Sequence, residues 1–300
     1  MTDNQTVISV KNLTQRYGKG RLIYSDLNFD VPKGRILGLL GKNGTGKTTT
    51  INILMGYLRP QSGECRIFGE PITEMRPETR ARIALLIEGH IQYSFMTIEQ
   101  IERFYSRFYP KWNKDAYYEL MNKLHVSPNQ RISTMSCGQR SQVALGLILA
   151  QNADLLVLDD FSLGLDPGYR RLFVDYLHEF AKAEEKTVFM TSHIIQDLER
   201  LIDDCIILDY GKILTQTSVA DLLRDFTCYT FTCDTDKLPE FDEASGIVNP
   251  SLIRNEVELY TFKPREHVAQ VLESHGISPS NMKRREMSLE DAFIGLTGKY

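Results

Sequence analysis

The sequence predicts an α/β chain, with a core of buried strands alternating with helices followed by a smaller α+β portion. Three observations predict it. Strand-period and helix-period apolar patterns alternate over about the first two thirds of the chain. A glycine-rich turn, Gly41–Thr48, stands between a continuous apolar run and a helical stretch. After about Arg224 the alternation gives way to period-two strands and two short helices, which predicts a separate domain of about 70 residues.

The elements follow in order. Leu27, Phe29 and Val31 alternate as in a half-buried strand. Ile36–Leu40 is apolar throughout, as in a strand covered on both faces. A helix is expected from about Lys47 to Tyr57, a turn at Pro60 and Ser62-Gly63, and strands at Cys65–Phe68 and Ile83–Ile87. Thr97 and Gln100 have the spacing of a capping box, and Pro110 is expected to end the helix they start. A second helix runs over Lys114–Leu124. This region is rich in aromatics, from Phe95 through Phe104, Tyr105, Phe108 and Tyr109 to Tyr118, which suits either core packing or a greasy groove for a partner helix. Leu155–Leu158 is a buried strand closing on Asp159-Asp160. A helix over Tyr169–Ala183 and a strand over Thr187–Thr191 follow, then a hairpin around Tyr210-Gly211. In the tail, Tyr229–Cys233 and Val257–Phe262 read as strands and Pro264–His275 as a helix. Ser288 and Asp291 cap a last one.

The chain has 300 residues, 42% of them hydrophobic and 25% charged, with a net charge of −4. That much apolar surface excludes disorder as a description of the whole chain. The balance of charge argues against a protein that coats nucleic acid. The polar start, Met1–Thr6, reads as no signal peptide, and no apolar run approaches the ~18 residues of a membrane span. Five scattered cysteines without a C-x-x-C pair read as free thiols in a reducing compartment.

The sharpest chemical signal is Gly41-Lys42-Asn43-Gly44-Thr45-Gly46-Lys47-Thr48, the pattern G-x-x-x-x-G-K-[ST]. It stands after a buried strand and before a helix, where a P-loop must stand. Its glycines let backbone N–H groups point at phosphate oxygens, and the helix N-terminus adds its positive dipole end. Lys47 is expected to neutralise the β- and γ-phosphates, and Thr48 to hold Mg²⁺ through its hydroxyl. Asp159, ending a hydrophobic strand, is expected to hold the same ion.

Several further stretches follow in a fixed order. Tyr17 lies upstream of the P-loop. Ser136-Cys137-Gly138-Gln139-Arg140 precedes a helix, Ser162-Leu163-Gly164-Leu165-Asp166 follows Asp159-Asp160, and Thr191-Ser192-His193 closes a strand. With these motifs residues 7–220 resemble the nucleotide-binding subunit of an ATP-binding cassette (ABC) transporter. The resemblance implies a P-loop NTPase core of ABC type, with an antiparallel β subdomain and a helical subdomain at about 90–150. The ABC domain would span 1–223 and a C-terminal accessory domain 224–300. It implies ATP and Mg²⁺ as cofactors, with Tyr17 stacking on adenine and the loop from Gly41 to Thr48, with Thr49, around the phosphates. Ser136, Gly138 and Gln139 match the signature that binds the ATP of a second subunit, Asp166 the D-loop, His193 the switch histidine and Glu88 the Q-loop residue.

Three positions depart from the family pattern. Asp160 replaces the usual catalytic Glu and is one methylene shorter. A ~1 Å error in placing the attacking water costs ~10²-fold. Glu88 stands where Gln is usual, so it is a candidate contact for water or Mg²⁺ that adds negative charge. Cys137 replaces a Gly of the signature. The expectation is a slow but working ATPase with Asp160 as polarising base. The alternatives are a catalytically weak or regulatory subunit of a heterodimer, and a soluble ABC ATPase without a transporter.

The ending Met287-Ser288-Leu289-Glu290-Asp291-Ala292-Phe293…Leu296-Thr297-Gly298 resembles ABC-2-type exporter ATPases, and Leu86-Ile87-Glu88 those of antimicrobial-peptide resistance exporters. The partners so implied are separate transmembrane permease subunits, whose coupling helix would enter a groove by Glu88, and a second ABC subunit in a homodimer or heterodimer. No nucleic acid is expected. The chain would lie in the cytoplasm, peripheral on the cytoplasmic face of the membrane.

Overall fold

A computed structural model describes residues 6–18, 20–87, 93–161, 165–192, 194–235 and 237–298. The chain divides into two compact units, Met1–Gln216 and Thr217–Tyr300.

In chain order the first unit contains β1 (Thr6–Arg16), β2 (Leu22–Pro32), β3 (Ile36–Gly41), α1 (Lys47–Leu54), β4 (Ser62–Ile67), β5 (Glu70–Pro71), α2 (Pro77–Arg80) and β6 (Ile83–Leu86). Then come α3 (Ile98–Tyr105), α4 (Lys114–Lys123), α5 (Cys137–Ala150), β7 (Leu155–Leu158), α6 (Pro167–Ala183), β8 (Thr187–Thr191), α7 (Ile195–Leu198), β9 (Asp204–Asp209) and β10 (Lys212–Ser218), whose last two residues belong to the second unit. One sheet has the order β2-β1-β4-β5 and is antiparallel. The other has the order β10-β9-β3-β8-β7-β6, and the pairs β9/β3, β3/β8, β8/β7 and β7/β6 are parallel. Strands β3, β7 and β8 are buried along their whole length, as the apolar runs of β3 and β7 and the apolar centre Val188–Met190 of β8 require. The core joins Val10, Leu13 and Phe29 of the antiparallel sheet to Leu39, Val157 and Phe189 of the parallel one, and the Phe29 and Phe189 rings stack with centroids 5.8 Å apart.

Helix boundaries follow local chemistry. Thr97 and Ser136 each form a capping box with the residue three positions on, Gln100 and Gln139. α1 stops at Leu54, earlier than expected, because Gly56 takes the left-handed conformation (φ 76°) that closes a helix. α3 stops at Tyr105, five residues before Pro110, and the stretch between is a run of turns. α6 begins two residues earlier than its periodicity suggests, with Asp166 as N-cap and Pro167 in the first position.

The second unit holds α8 (Val219–Asp225), β11 (Thr227–Thr232), β12 (Ile247–Ile253), β13 (Glu256–Thr261), α9 (Arg265–Ser274), β14 (Ser280–Arg285) and α10 (Leu289–Thr297). Its antiparallel sheet runs β12-β13-β11-β14. Phe231, Val257 and Leu259 meet Val268 and Leu272 of α9 in a core of its own. Arg285 pairs with Glu258 (2.9 Å) and with Asp291 (3.2 Å), which ties the capped start of α10 to the sheet.

All five cysteines are free thiols, Cys137 exposed and the others buried. Burial pushes the thiols of Cys65 and Cys205 up to about 12, which leaves them unreactive. Among the described residues no helix is long and apolar enough to cross a membrane.

Candidate nucleotide site

Parallel strands deliver their C-terminal ends to one edge of a sheet, and ligands of open α/β sheets bind outside that edge. Here the sheet order sets the site. β3 ends at Gly41, β7 runs into Asp159, and β8, which lies between them, ends at Thr191.

The loop after β3 requires its glycines. Gly44 and Gly46 sit at φ 79° and 107°, a region that L side chains rarely adopt. A Cβ on Gly46 would lie 2.6 Å from Ile23 Cγ2 and 2.7 Å from Tyr24 Cε1, and one on Gly41 would lie 2.5 Å from Thr45 Oγ1. The loop is braced from within, where Thr45 Oγ1 donates to Lys42 O at 2.8 Å. Asn43 is exposed, and Lys42 and Thr45 are buried. α1 leaves this loop with Gly46 as N-cap, no capping side chain and no acidic residue in its first turn. Its first N–H groups and its dipole end are thus available to an anion.

Lys47 is buried, and its Nζ donates to Gly41 O (2.7 Å) and Lys42 O (3.1 Å). Burial lowers its pKa, while the charges of Asp160 and Asp159 pull the other way. Next to it, Thr48 Oγ1 donates to Asp159 Oδ1 at 3.2 Å. The same carboxylate oxygen accepts from Thr191 Oγ1 at 2.7 Å, and Thr191 Oγ1 in turn accepts from the Asp160 N–H at 3.0 Å. Asp160 is buried and holds φ 45°. Thr191 is the member of this group to which the sequence assigns no role. Its place between Asp159 and Asp160 follows from strand order, which the sequence does not display.

The donor set fits Mg²⁺. A hydroxyl and a carboxylate lie within hydrogen-bond distance at the foot of the phosphate loop, and Mg²⁺ takes hard oxygens, using one or two carboxylates with waters and substrate phosphates. Among the described residues no group of three His, Cys, Asp or Glu could hold a metal by itself.

Tyr17, half exposed after β1, reaches α1 through its hydroxyl, which lies 3.1 Å from Thr49 Oγ1. A second cluster forms where α5 meets α6. Ser136 Oγ accepts from Gln139 N (3.2 Å) and Gln139 Oε1 from Ser136 N (3.1 Å). Asp166 Oδ1 accepts from the N–H groups of Gly168 (2.9 Å) and Tyr169 (3.1 Å). Gly138 packs so closely on the Tyr169 ring that a Cβ there would lie 2.3 Å from Cδ2. Gln142 Nε2 donates to Tyr169 O at 2.8 Å. Among the described residues the contacts of Ser136, Gly138, Gln139 and Asp166 lie within this second cluster. Glu88, His193 and Ser162–Gly164 lie outside the described residues.

Beside Ile87 a cleft of about 460 Å³ opens between the end of α1, β6, α3 and α5. Leu54, Met55, Tyr105, Tyr109 and Ile148 give it an apolar lining.

A family model described as "ABC transporter" matches residues 24–162. The Nod factor export ATP-binding protein I of Cupriavidus pinatubonensis is 29% identical over 304 residues, covering 98% of this chain and 91% of that protein. The bacitracin transport ATP-binding protein of Bacillus licheniformis is 28% identical, with 98% of each chain covered. Among solved structures, an ATP-binding subunit of an ABC transporter superposes with a TM-score of 0.64 at 25% identity, over 73% of this chain and 92% of its own. With the phosphate loop, the Asp159 strand and the sheet order in place, residues 24–162 form an ABC transporter domain, and the chain along its length is similar to ATP-binding proteins of ABC transporters.

Proposed function

We propose that this chain is the ATP-binding and ATP-hydrolysing subunit of an ABC exporter and works on the cytoplasmic face of the membrane through separate permease subunits. The observation that carries this reading is the cluster of Lys47, Thr48, Asp159, Thr191 and Asp160 at the open end of the parallel sheet.

In this reading the N–H groups of Gly44–Thr49 and the ammonium of Lys47 bind the phosphates. Tyr17 supports the base, with its hydroxyl anchored at Thr49. Thr48 and Asp159 would hold Mg²⁺, which when bound neutralises charge on the transferred phosphoryl group. Asp160 orients the attacking water and takes its proton at the carboxylate. Thr191 fixes both acids, as donor to one side chain and acceptor for the other residue's backbone. Glu88 and His193 complete the set by their place in the family motifs.

Ser136, Gly138, Gln139 and Asp166 serve the ATP of a second ABC subunit, since their contacts among the described residues lie within the second cluster. ATP would then hold two subunits together, and hydrolysis would release them. The cleft beside Ile87 offers an apolar seat for a helix of a permease. The export assignment draws on the relatives named above and on the Ser288–Gly298 ending. ATP turnover by the purified chain tests the reading. Turnover that Mg²⁺ supports and Asp159→Asn removes is the expected result, and turnover indifferent to both would refute it.

A further inference from the structure

Arg21 stands immediately before β2 with an exposed side chain that no motif claims. Its guanidinium lies against the phosphate loop, where a Cβ built on Gly44 would stand 3.3 Å from Nη1 and 3.9 Å from Nη2. On its other side the guanidinium carbon is 5.1 Å from the centre of the Tyr210 ring. That ring is itself 56% exposed. Its position follows from the sheet. β9 pairs with β3 so that Leu208 lies opposite Gly41, and the chain then turns at Tyr210-Gly211, beside the loop and the start of β2.

Among the described residues Arg21 has no carboxylate partner. A guanidinium stacked on an exposed ring and left without a counter-charge, at the margin of a loop built for anions, is a cation awaiting one. Lys47, by contrast, already donates to two carbonyls of its own loop.

We propose that Arg21 is a second cation of the nucleotide site, which binds the phosphate chain of a nucleoside di- or triphosphate with Tyr210 as its positioning residue. The planar fork of Arg21 offers two parallel N–H donors to phosphate oxygens, a geometry that an ammonium lacks. This inference rests on the nucleotide reading of the loop and adds a residue to it.

The test is the dissociation constant of the full chain for MgATP and ADP, with inorganic tripolyphosphate as competitor. The variants are Arg21→Ala, Arg21→Lys, Tyr210→Ala, Tyr210→Phe and, as control, Lys47→Ala. Arg21→Ala should weaken ATP, ADP and tripolyphosphate by a common factor of about ten. Arg21→Lys should recover part of that loss. Tyr210→Ala should shift affinity the same way by about threefold, and Tyr210→Phe, which keeps the ring face, should match the parent. Parent-like affinity in Arg21→Ala alongside a loss in Lys47→Ala overturns the proposal and leaves the nucleotide reading standing. A loss for ATP but not for tripolyphosphate overturns it in favour of a contact to base or sugar. Parent-like affinity in both variants removes the reading of the loop as well. Both side chains are exposed, so the unliganded variants should unfold at the parent's temperature.

Discussion

Thr191 Oγ1 donates to Asp159 Oδ1 at 2.7 Å and accepts from the Asp160 N–H at 3.0 Å, so one hydroxyl holds the two adjacent acids of the site. This is possible because β8 lies between the strand that carries the phosphate loop and the strand that carries the acids.

Thr191→Val keeps the shape of the side chain and removes both hydrogen bonds. Leaving the buried partners unsatisfied costs about 1–3 kcal/mol of stability. Turnover should fall by about tenfold or more, since Asp160 loses its anchor, while the dissociation constant for MgATP changes little. Thr191→Ser should restore most of the rate. Steady-state kinetics with an equilibrium binding assay separate the two effects.

Asp160 is the shorter acid at the position expected to polarise water. Lengthening it by one methylene in Asp160→Glu should raise turnover, and Asp160→Asn should lower it by about 10²-fold. An Asn variant with the parent's rate would remove Asp160 from that role.

Gly138 has no room for a methyl group, because the near end of the Tyr169 ring, rather than a flexible tip, fills the space. Gly138→Ala should destabilise the first unit by about 1–3 kcal/mol, as overpacking does. Pairing with Tyr169→Ala should recover much of the loss. Thermal unfolding of the two single variants and the double variant measures the coupling.

A pH effect is expected at the other end of the parallel sheet. Asp203 accepts from Lys182 Nζ at 2.7 Å and from the Ile36 N–H at 2.9 Å. Burial pushes its pKa up, but these hydrogen bonds and the charges of Lys182 and Arg35 outweigh it, and the pKa is lowered overall. A carboxylate depressed on folding contributes stability that is fully present above its unfolded value, ~3.9, and is lost as pH falls through the folded value. Asp203→Asn should therefore narrow the gap in stability between neutral and strongly acidic pH. Unfolding by denaturant at a series of pH values shows the slope.

The parts of the fold legible in the sequence are those set by local chemistry. The phosphate loop was legible because glycines at Gly44 and Gly46 meet a positive-φ requirement within a few residues. The capping boxes at Thr97 and Ser288 were legible for the same reason, since donor and acceptor are three positions apart. β1 does not show as a strand in its alternation, because register shifts after Val10 and Leu13 and the left-handed Asn12 break the period of two. β12 is hidden by Pro250, a residue that argues against a strand. The role of Thr191 and the clearance at Gly138 depend on which strand and which helix come to lie alongside, and no local pattern encodes that.

The central claim is that the loop from Gly41 to Thr48 binds the phosphates of ATP. The most direct measurement is the dissociation constant for MgATP of the parent chain and of Lys47→Ala, determined at equilibrium without turnover. The account predicts at least about a tenfold loss of affinity, the size expected for a charge-assisted contact. Equal affinity in the two proteins would contradict it.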